Sequence, residues 1–271
     1  MSTQVISLLG LPRTGKSTYI GALWLVVQDP TVGDIREHDV RGDRSYIESL
    51  AHQVAKCEEI QRTEVDSDQA FAMQLDLAGL GVADVEIPDL AGEATRVLVE
   101  DRTWRRVFAD ALSRSNALLL FVHPDHVETP IPANWGTGEG AEAHSSQNLP
   151  EFSPEKACTS AKLIELLENV LMARADAWPL RVGVVISAWD RVDNMTPRDW
   201  LAERLPGVHG LLESNPDLVR FSVFGVSAQG GRLPEQHDEL IRQDVSKRVF
   251  AARDDGTICP IFEPLVWVVS Q

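Results

Sequence analysis

The chain reads Gly10-Leu11-Pro12-Arg13-Thr14-Gly15-Lys16-Ser17-Thr18, which fits the pattern G-x-x-x-x-G-K-[S/T]. This stretch lies between an apolar run at residues 5–9, which predicts a buried strand, and residues 17–28, which predict a helix. In that setting the glycines let backbone N–H groups turn toward phosphates, Lys16 would neutralise the β and γ phosphates, and Ser17 would bind Mg²⁺. The sequence therefore predicts a phosphate-binding loop.

The arginine inside this loop, Arg13, is an unusual charge for such a position. It could contact a phosphate within its own chain, or it could contact a partner across an interface. It could equally be solvated, which is the ordinary state of an exposed arginine. The sequence leaves these three roles open.

Strand-like and helix-like segments alternate through the rest of the chain. Apolar or alternating runs predict further strands at residues 71–77, 82–87, 117–122, 181–187 and 219–226. Helical periodicity predicts helices at 45–60, 94–113, about 154–175 and about 262–269, with residues 29–44 as a loop. The glycines around Leu80 predict an antiparallel hairpin. The pattern indicates an α/β P-loop NTPase fold of three layers, with a mostly parallel sheet of about six strands whose second strand is antiparallel.

The expected organisation is one domain over residues 1–271 with two insertions, at about 30–62 and at about 123–153. The second insertion is rich in proline and glycine, which is typical of a surface loop. Lys and Arg number 25 against 41 Asp and Glu, so the net charge of −16 disfavours nucleic acid as a partner.

The cysteines and the hydropathy of the chain indicate in which cellular compartment the protein is expected. The three cysteines, Cys57, Cys158 and Cys259, are far apart, which argues against a disulfide framework and a zinc site. No apolar run is long enough to predict a transmembrane segment. We therefore expect a cytoplasmic protein.

A second motif, Asp89-Leu90-Ala91-Gly92, follows the strand at 82–87. At the carboxyl end of a strand Asp89 can hold Mg²⁺ through water, and the N–H of Gly92 can sense the γ-phosphate. With this D-x-x-G the chain resembles the Ras-like and translation-factor-related GTPases, whose third signature stands in the same place. The resemblance implies GTP and GDP as ligands, with Mg²⁺.

The two base-recognition signatures of that class have counterparts here. The family's N-K-x-D appears as Ser187-Ala188-Trp189-Asp190, and its S-A-K appears as Ser227-Ala228-Gln229. Asp190 can accept two hydrogen bonds from guanine, and the N–H of Ala228 can reach the guanine oxygen. Losing the lysine predicts weaker or less selective binding, and Trp189 could shield the base. The alternative is a capping aspartate and a loop serine that touch no base.

A closer resemblance is to bacterial double-GTPase type proteins. It is carried by the long segment after the first helix, by Arg62-Thr63 and by Phe262-Glu263-Pro264-Leu265-Val266-Trp267. It implies that Thr63 is the switch threonine that completes the Mg²⁺ ligands, with Thr31 as the competitor. Glu93 stands where many relatives carry a water-positioning glutamine, and a carboxylate near the γ-phosphate predicts slow hydrolysis. A partner, or Arg13 of a second copy, could supply the missing positive charge.

Three functions compete on these observations. The first is a GTP-hydrolysing switch that couples its nucleotide state to a protein partner, with its oligomeric state open. The second is an ATP-using ATPase or phosphotransferase, for which the altered Ser187-Ala188 leaves room. The third is a scaffold that binds GTP or GDP without meaningful turnover.

Overall fold

A computed structural model describes residues 4–58, 60, 71–87, 93–101, 103, 106–129, 157–174 and 179–270. Nine strands lie within these residues: β1 (Gln4–Leu9), β2 (Ile35–Arg41), β3 (Phe71–Leu77), β4 (Gly81–Ile87), β5 (Ala117–Val122), β6 (Leu180–Ile186), β7 (Val219–Ser227), β8 (Phe250–Ala252) and β9 (Ile258–Cys259). The helices in the same ranges are α1 (Lys16–Gln28), α2 (Arg44–Ala55), α3 (Glu93–Asp101), α4 (Arg106–Arg114), α5 (Thr159–Ala173), α6 (Pro197–Arg204), α7 (Pro206–Ser214), α8 (His237–Leu240), α9 (Val245–Arg248) and α10 (Glu263–Val269).

The strands form a single sheet in the order β2-β3-β4-β1-β5-β6-β7-β8-β9. Strand β1 is parallel to β4 and β5, and the parallel pairing continues through β6 and β7. Strand β3 is antiparallel to both of its neighbours. The predicted α/β class, the mostly parallel sheet and the antiparallel second strand of the predicted set are therefore confirmed.

Three strands were not predicted, and each lacks the pattern that a sequence can show. Residues 29–44 were predicted as loop, which is wrong because β2 occupies their centre. This strand reads IREHDVR and forms one edge of the sheet, where charged side chains face solvent and hinder pairing with other chains. Strands β8 and β9, of 3 and 2 residues, are too short to show alternation.

The sheet separates two apolar layers, which gives the predicted three-layer arrangement. On one face, α1, α2 and α10 pack on side chains such as Ile6, Met73 and Val185. On the other, α3 to α7 pack on side chains such as Leu120 and Val184. Successive strand residues point to opposite faces, so the buried central strands are apolar on both sides.

Helix α2 is part of the first layer. A Cβ on Gly21 of α1 would lie 2.8 Å from the main-chain oxygen of Leu50, so only glycine allows the two helices to approach this closely. At the end of α2, the guanidinium of Arg248 donates to the oxygen of Val54 at 2.6 Å, to Cys57 Sγ at 2.6 Å and to the oxygen of Leu240 at 2.7 Å. Arg248 is only 4% exposed, so these contacts tie α9 to the end of α2 inside the protein.

The single helix predicted at 94–113 is two helices, α3 and α4. The short helices α6 to α9 were not predicted. The predicted insertion at 123–153 falls largely outside the described residues. Within the described parts of the chain, no helix has the length and apolar character required to cross a bilayer.

Candidate functional site

The carboxyl ends of the parallel strands lie on one edge of the sheet, and the loop Gly10 to Ser17 begins at that edge directly after β1. Gly15, the residue before α1, has a left-handed φ of 85°. A Cβ there would lie 2.8 Å from the Cβ of Ser187, which follows β6. The backbone of the phosphate loop is thus seated directly against the first residue of the predicted base-recognition stretch.

Side chains inside the loop stabilise its shape. Lys16 is buried, and its Nζ donates to the oxygens of Gly10 at 2.7 Å and Leu11 at 3.2 Å. The hydroxyl of Thr14 donates to the oxygen of Leu11 at 2.8 Å. Leu11 packs on the apolar layer below, and Pro12 is half-buried. Contacts within the loop therefore hold its shape, and they keep the Lys16 ammonium beside the loop's own main-chain oxygens.

The start of α1 offers main-chain donors. No side chain caps the helix at Gly15, and its first internal hydrogen bond runs from Tyr19 N to the oxygen of Gly15 at 2.9 Å. The N–H groups of Ser17 and Thr18 come before that bond, at the positive end of the helix dipole. Such an end binds anions, and the hydroxyl of Ser17 is a hard oxygen ligand of the kind Mg²⁺ prefers. The described residues therefore fit a magnesium-bound phosphate group.

Arg13 lies at the exposed tip of the loop with a φ of 64°, a conformation that residues other than glycine rarely adopt. Among the described residues it forms no ion pair. Its side chain is thus available to solvent or to a partner.

The residues predicted to recognise the base lie together at the ends of β6 and β7. The hydroxyl of Ser227, which is fully buried, donates to Asp190 Oδ1 at 2.6 Å and accepts from the N–H of Gly230 at 3.1 Å. Ala228 follows and is 8% exposed. Burial raises the pKa of Asp190, while the hydrogen bond from Ser227 and the nearby charges of Arg191 and Arg232 act in the opposite direction. The structure therefore brings together the two sequence-predicted motifs.

The three residues before Asp190 in Ser187-Ala188-Trp189-Asp190 are fixed by contacts with β5 and β7 and by a tight backbone turn. The hydroxyl of Ser187 donates to the oxygen of Val122 at 3.1 Å, and Ala188 adopts a left-handed φ of 46°. A Cβ on Gly225 of β7 would lie 2.1 Å from Trp189 Cδ2, so the indole packs flat on that strand and is 8% exposed. The expectation that Trp189 could shield a base is wrong, because its ring belongs to the core.

Two arginines near this site were not predicted. Arg232 Nε donates to the main-chain oxygen of Asp190 at 2.7 Å, and Arg191 Nη2 donates to the main-chain oxygen of Leu233 at 3.2 Å. Arg191 ends a short 3-10 helix directly after the predicted motif, and Arg232 lies in a loop without a motif. Neither arginine belongs to a signature that would distinguish it from a solvated arginine.

The remaining predicted residues are placed only in part. Thr63, Asp89 and Gly92 lie outside the described residues, and Glu93 begins α3 with only its backbone described. The competitor Thr31 accompanies Asp29 beyond the far end of α1, where its N–H and hydroxyl both donate to Asp29 Oδ1. The length of α1 places it about 20 Å from Ser17. Thr31 is therefore not at the phosphate loop in this structure.

A loop of this sequence between a parallel strand and a helix, with a buried lysine and an uncapped helix start, defines a P-loop nucleotide-binding protein. The chain belongs to the Double-GTPase 1 family, whose model matches residues 7–268. The predicted resemblance to double-GTPase type proteins is confirmed, and the chain is a GTPase that binds guanine nucleotide. Nothing favours the ATP-using alternative.

Solved structures of GTP-binding proteins are similar at low identity. A structure from Plasmodium falciparum assigned as nucleolar GTP-binding protein 1 is 13% identical, with a TM-score of 0.40, over 90% of this chain and 89% of that one. The Arl6 small GTPase of Trypanosoma brucei is 11% identical, with a TM-score of 0.38, over 91% and 99%. A bacterial selenocysteine-specific elongation factor is 15% identical, with a TM-score of 0.38, over 92% of this chain and 29% of the factor. No curated protein matches. The family assignment rests on the family model alone.

Proposed function

We propose that the residues at the carboxyl edge of the sheet bind GTP with Mg²⁺, hydrolyse it to GDP and phosphate, and couple the nucleotide state to a protein partner in the cytoplasm. The observation that carries this proposal is the contact between the phosphate loop and the stretch predicted to recognise the base, which we call the phosphate end and the base end of the site. Gly15 of the phosphate loop abuts Ser187, and three residues later Asp190 is bound by Ser227 at 2.6 Å. One nucleotide could therefore contact both ends.

At the phosphate end, the N–H groups of Gly15 to Thr18 would surround the β-phosphate. Lys16 now donates to the oxygens of Gly10 and Leu11, and would exchange part of this bonding for the β and γ phosphates. When bound, Mg²⁺ would neutralise charge that develops between these phosphates. Ser17, Thr63 and Asp89 are the residues proposed to hold it.

For hydrolysis, the proposed roles stay as the resemblance implies them. The N–H of Gly92 would sense the γ-phosphate, and Glu93 would accept a hydrogen bond from the attacking water. Because a carboxylate near the γ-phosphate is opposed by like charge, we expect turnover to be slow without further positive charge. Arg13 at the exposed tip of the loop is positioned to meet a partner or a second copy, which makes it the candidate source.

At the base end, the second oxygen of Asp190 would complete the pair of acceptors for the N1–H and the amine of guanine. Ser227 fixes the carboxylate without occupying both of its oxygens. The N–H of Ala228 would donate to the guanine oxygen. Adenine offers no such pair of donors, so the arrangement favours guanine.

The test is equilibrium binding of GDP and ADP with Mg²⁺, followed by single-turnover release of phosphate from GTP. We expect GDP to bind at least about tenfold tighter than ADP, because adenine would leave buried polar groups unpaired. Phosphate should appear slowly, and faster when a partner is added. Equal affinity for GDP and ADP would contradict the base site, and no release under any condition would leave a binding protein without turnover.

A further inference from the structure

Two loops near the base end bind each other in a reciprocal way. Arg232 sends its Nε to the main-chain oxygen of Asp190, at 2.7 Å. Arg191, the next residue after Asp190, sends its Nη2 to the main-chain oxygen of Leu233, the next residue after Arg232, at 3.2 Å. Each loop therefore donates one arginine to the other loop's backbone. We call these two contacts the arginine clasp.

Each arginine of the clasp is also held by a carboxylate. Arg232 Nη2 donates to Asp193 Oδ1 at 2.7 Å, and Arg191 Nη1 donates to Asp125 Oδ2 at 2.9 Å. A guanidinium with donors on two targets is rigid, because its planar fork loses little further freedom for each added bond. The clasp thus fixes the backbone of Asp190 from outside, while Ser227 fixes its carboxylate from inside.

The arginine clasp lies beside the part of the chain that departs most from the N-K-x-D signature. The class resembled here carries asparagine and lysine before the aspartate, and this chain has Ser187 and Ala188. The hydroxyl of Ser187 donates to Val122, and Ala188 has no polar side chain. Among the described residues, neither of these two side chains forms a hydrogen bond to Asp190. A base-reading carboxylate must meet two donors at once, so its backbone has to be fixed by other groups.

We propose that Arg232 is a positioning residue for guanine selection: by bonding the main-chain oxygen of Asp190, it sets the carboxylate at the angle that meets both guanine donors. Arg191 supports the same geometry from the opposite loop. This inference rests on the proposed base-reading role of Asp190. Arg232 itself touches no nucleotide in this assignment.

The experiment compares GDP with inosine diphosphate, which keeps the N1–H and the oxygen of guanine but lacks its amine. The variants are R232Q, R232K and, as a matched control, R253Q. Arg253 is also half-exposed and donates twice to one carboxylate, Glu263 Oε1, away from the base end. Dissociation constants and melting temperatures are measured for every variant with Mg²⁺ present.

For R232Q we expect GDP affinity to fall about tenfold, since alignment with both donors is lost. Inosine diphosphate should lose less, so the preference for GDP over inosine diphosphate should shrink toward one. R232K should restore part of the preference, because an ammonium keeps a charged donor for the Asp190 oxygen but lacks the planar fork that holds two acceptors in a fixed geometry. R253Q should keep the parent preference.

Two results separate failure of this inference from failure of the proposed function. If the parent chain binds GDP no better than ADP, Asp190 does not read the base and the proposed base site fails. If the parent prefers GDP and R232Q keeps that preference, the clasp has no role in selection. An equal loss for both nucleotides together with a lower melting temperature would likewise overturn the inference, because it would mark a purely structural contact.

Discussion

The phosphate end and the base end of the proposed site are built in different ways. At the phosphate end the chain relies on backbone, because a left-handed Gly15 and an uncapped helix start present N–H groups. At the base end it relies on side chains, because Ser227 and Arg232 hold Asp190 in place. Backbone geometry requires particular residues in a fixed order, whereas a side-chain network can be assembled from distant positions. In this chain the motif that depends on backbone is complete, and the motif that depends on side chains is altered.

Substitution of Lys16 should cause the largest loss of nucleotide affinity, and the loss should not depend on which base the nucleotide carries. Lys16→Ala removes the charge beside the phosphates, and we expect a loss of several kcal/mol in binding of GTP with Mg²⁺. Titration with GDP, inosine diphosphate and ADP should show the same loss for each. A variant that binds GTP as tightly as the parent would remove Gly10 to Ser17 from the site.

Substitution of Gly15 tests the junction between the two ends. Gly15→Ala adds a Cβ at a φ of 85° and within 2.8 Å of Ser187 Cβ, so backbone strain and a clash both oppose it. We expect on the order of 1–3 kcal/mol of lost GDP affinity, accompanied by a lower melting temperature. Thermal unfolding with and without GDP measures both. Unchanged binding would mean that the two ends do not depend on each other.

Substitution of Asp190 acts on the base end alone. Asp190→Asn replaces one acceptor by a donor that faces a guanine donor, at a cost on the order of 1–3 kcal/mol. Xanthine carries a carbonyl where guanine has its amine, so binding of xanthosine triphosphate should improve. Competition between the two nucleotides measures the exchange of preference. If GTP affinity is kept, Asp190 does not belong to the base site.

The smallest effect expected is a pH dependence confined to the base end. Reading guanine requires ionised Asp190, and burial raises the pKa of this carboxyl. As pH falls toward that raised pKa, the carboxylate is protonated, so GDP affinity should decline at a higher pH than for an ordinary aspartate. The preference for GDP over ADP, measured between pH 7 and about pH 5, should decline with it. Asp190→Asn should show no such decline in preference.

The sequence was most informative where the backbone imposes order. The parallel strands β1, β5, β6 and β7 were predicted to within two residues, because strands buried on both faces are apolar runs. The phosphate loop was recognised for the same reason. Strand β2 was missed because an edge strand carries charges that resemble those of a loop.

At the base end, the contacts between side chains could not be predicted from the sequence pattern. Asp190 and Ser227 were each predicted at the base end from the signatures they resemble, but the hydrogen bond between them and the contribution of Arg232, from a loop 42 positions away, were not. Nothing in the composition of that loop indicates which carbonyl an arginine will reach. Trp189 was misjudged since a sequence does not say to which side of a tight turn a ring points, and Gly225 provided the space for it.

Helix α2 cannot simply be deleted to make a shorter version of this protein. Removing it would uncover the surface of α1 at Gly21, where a backbone carbonyl of α2 now rests. It would also deprive the guanidinium of Arg248, which is 4% exposed, of the main-chain oxygen of Val54 that accepts from it at 2.6 Å. A buried charged group that loses a hydrogen-bond acceptor is destabilising, and the net stability of a folded protein is small. Any shortened design would therefore have to replace Arg248 with an apolar residue in the same step that deletes the helix.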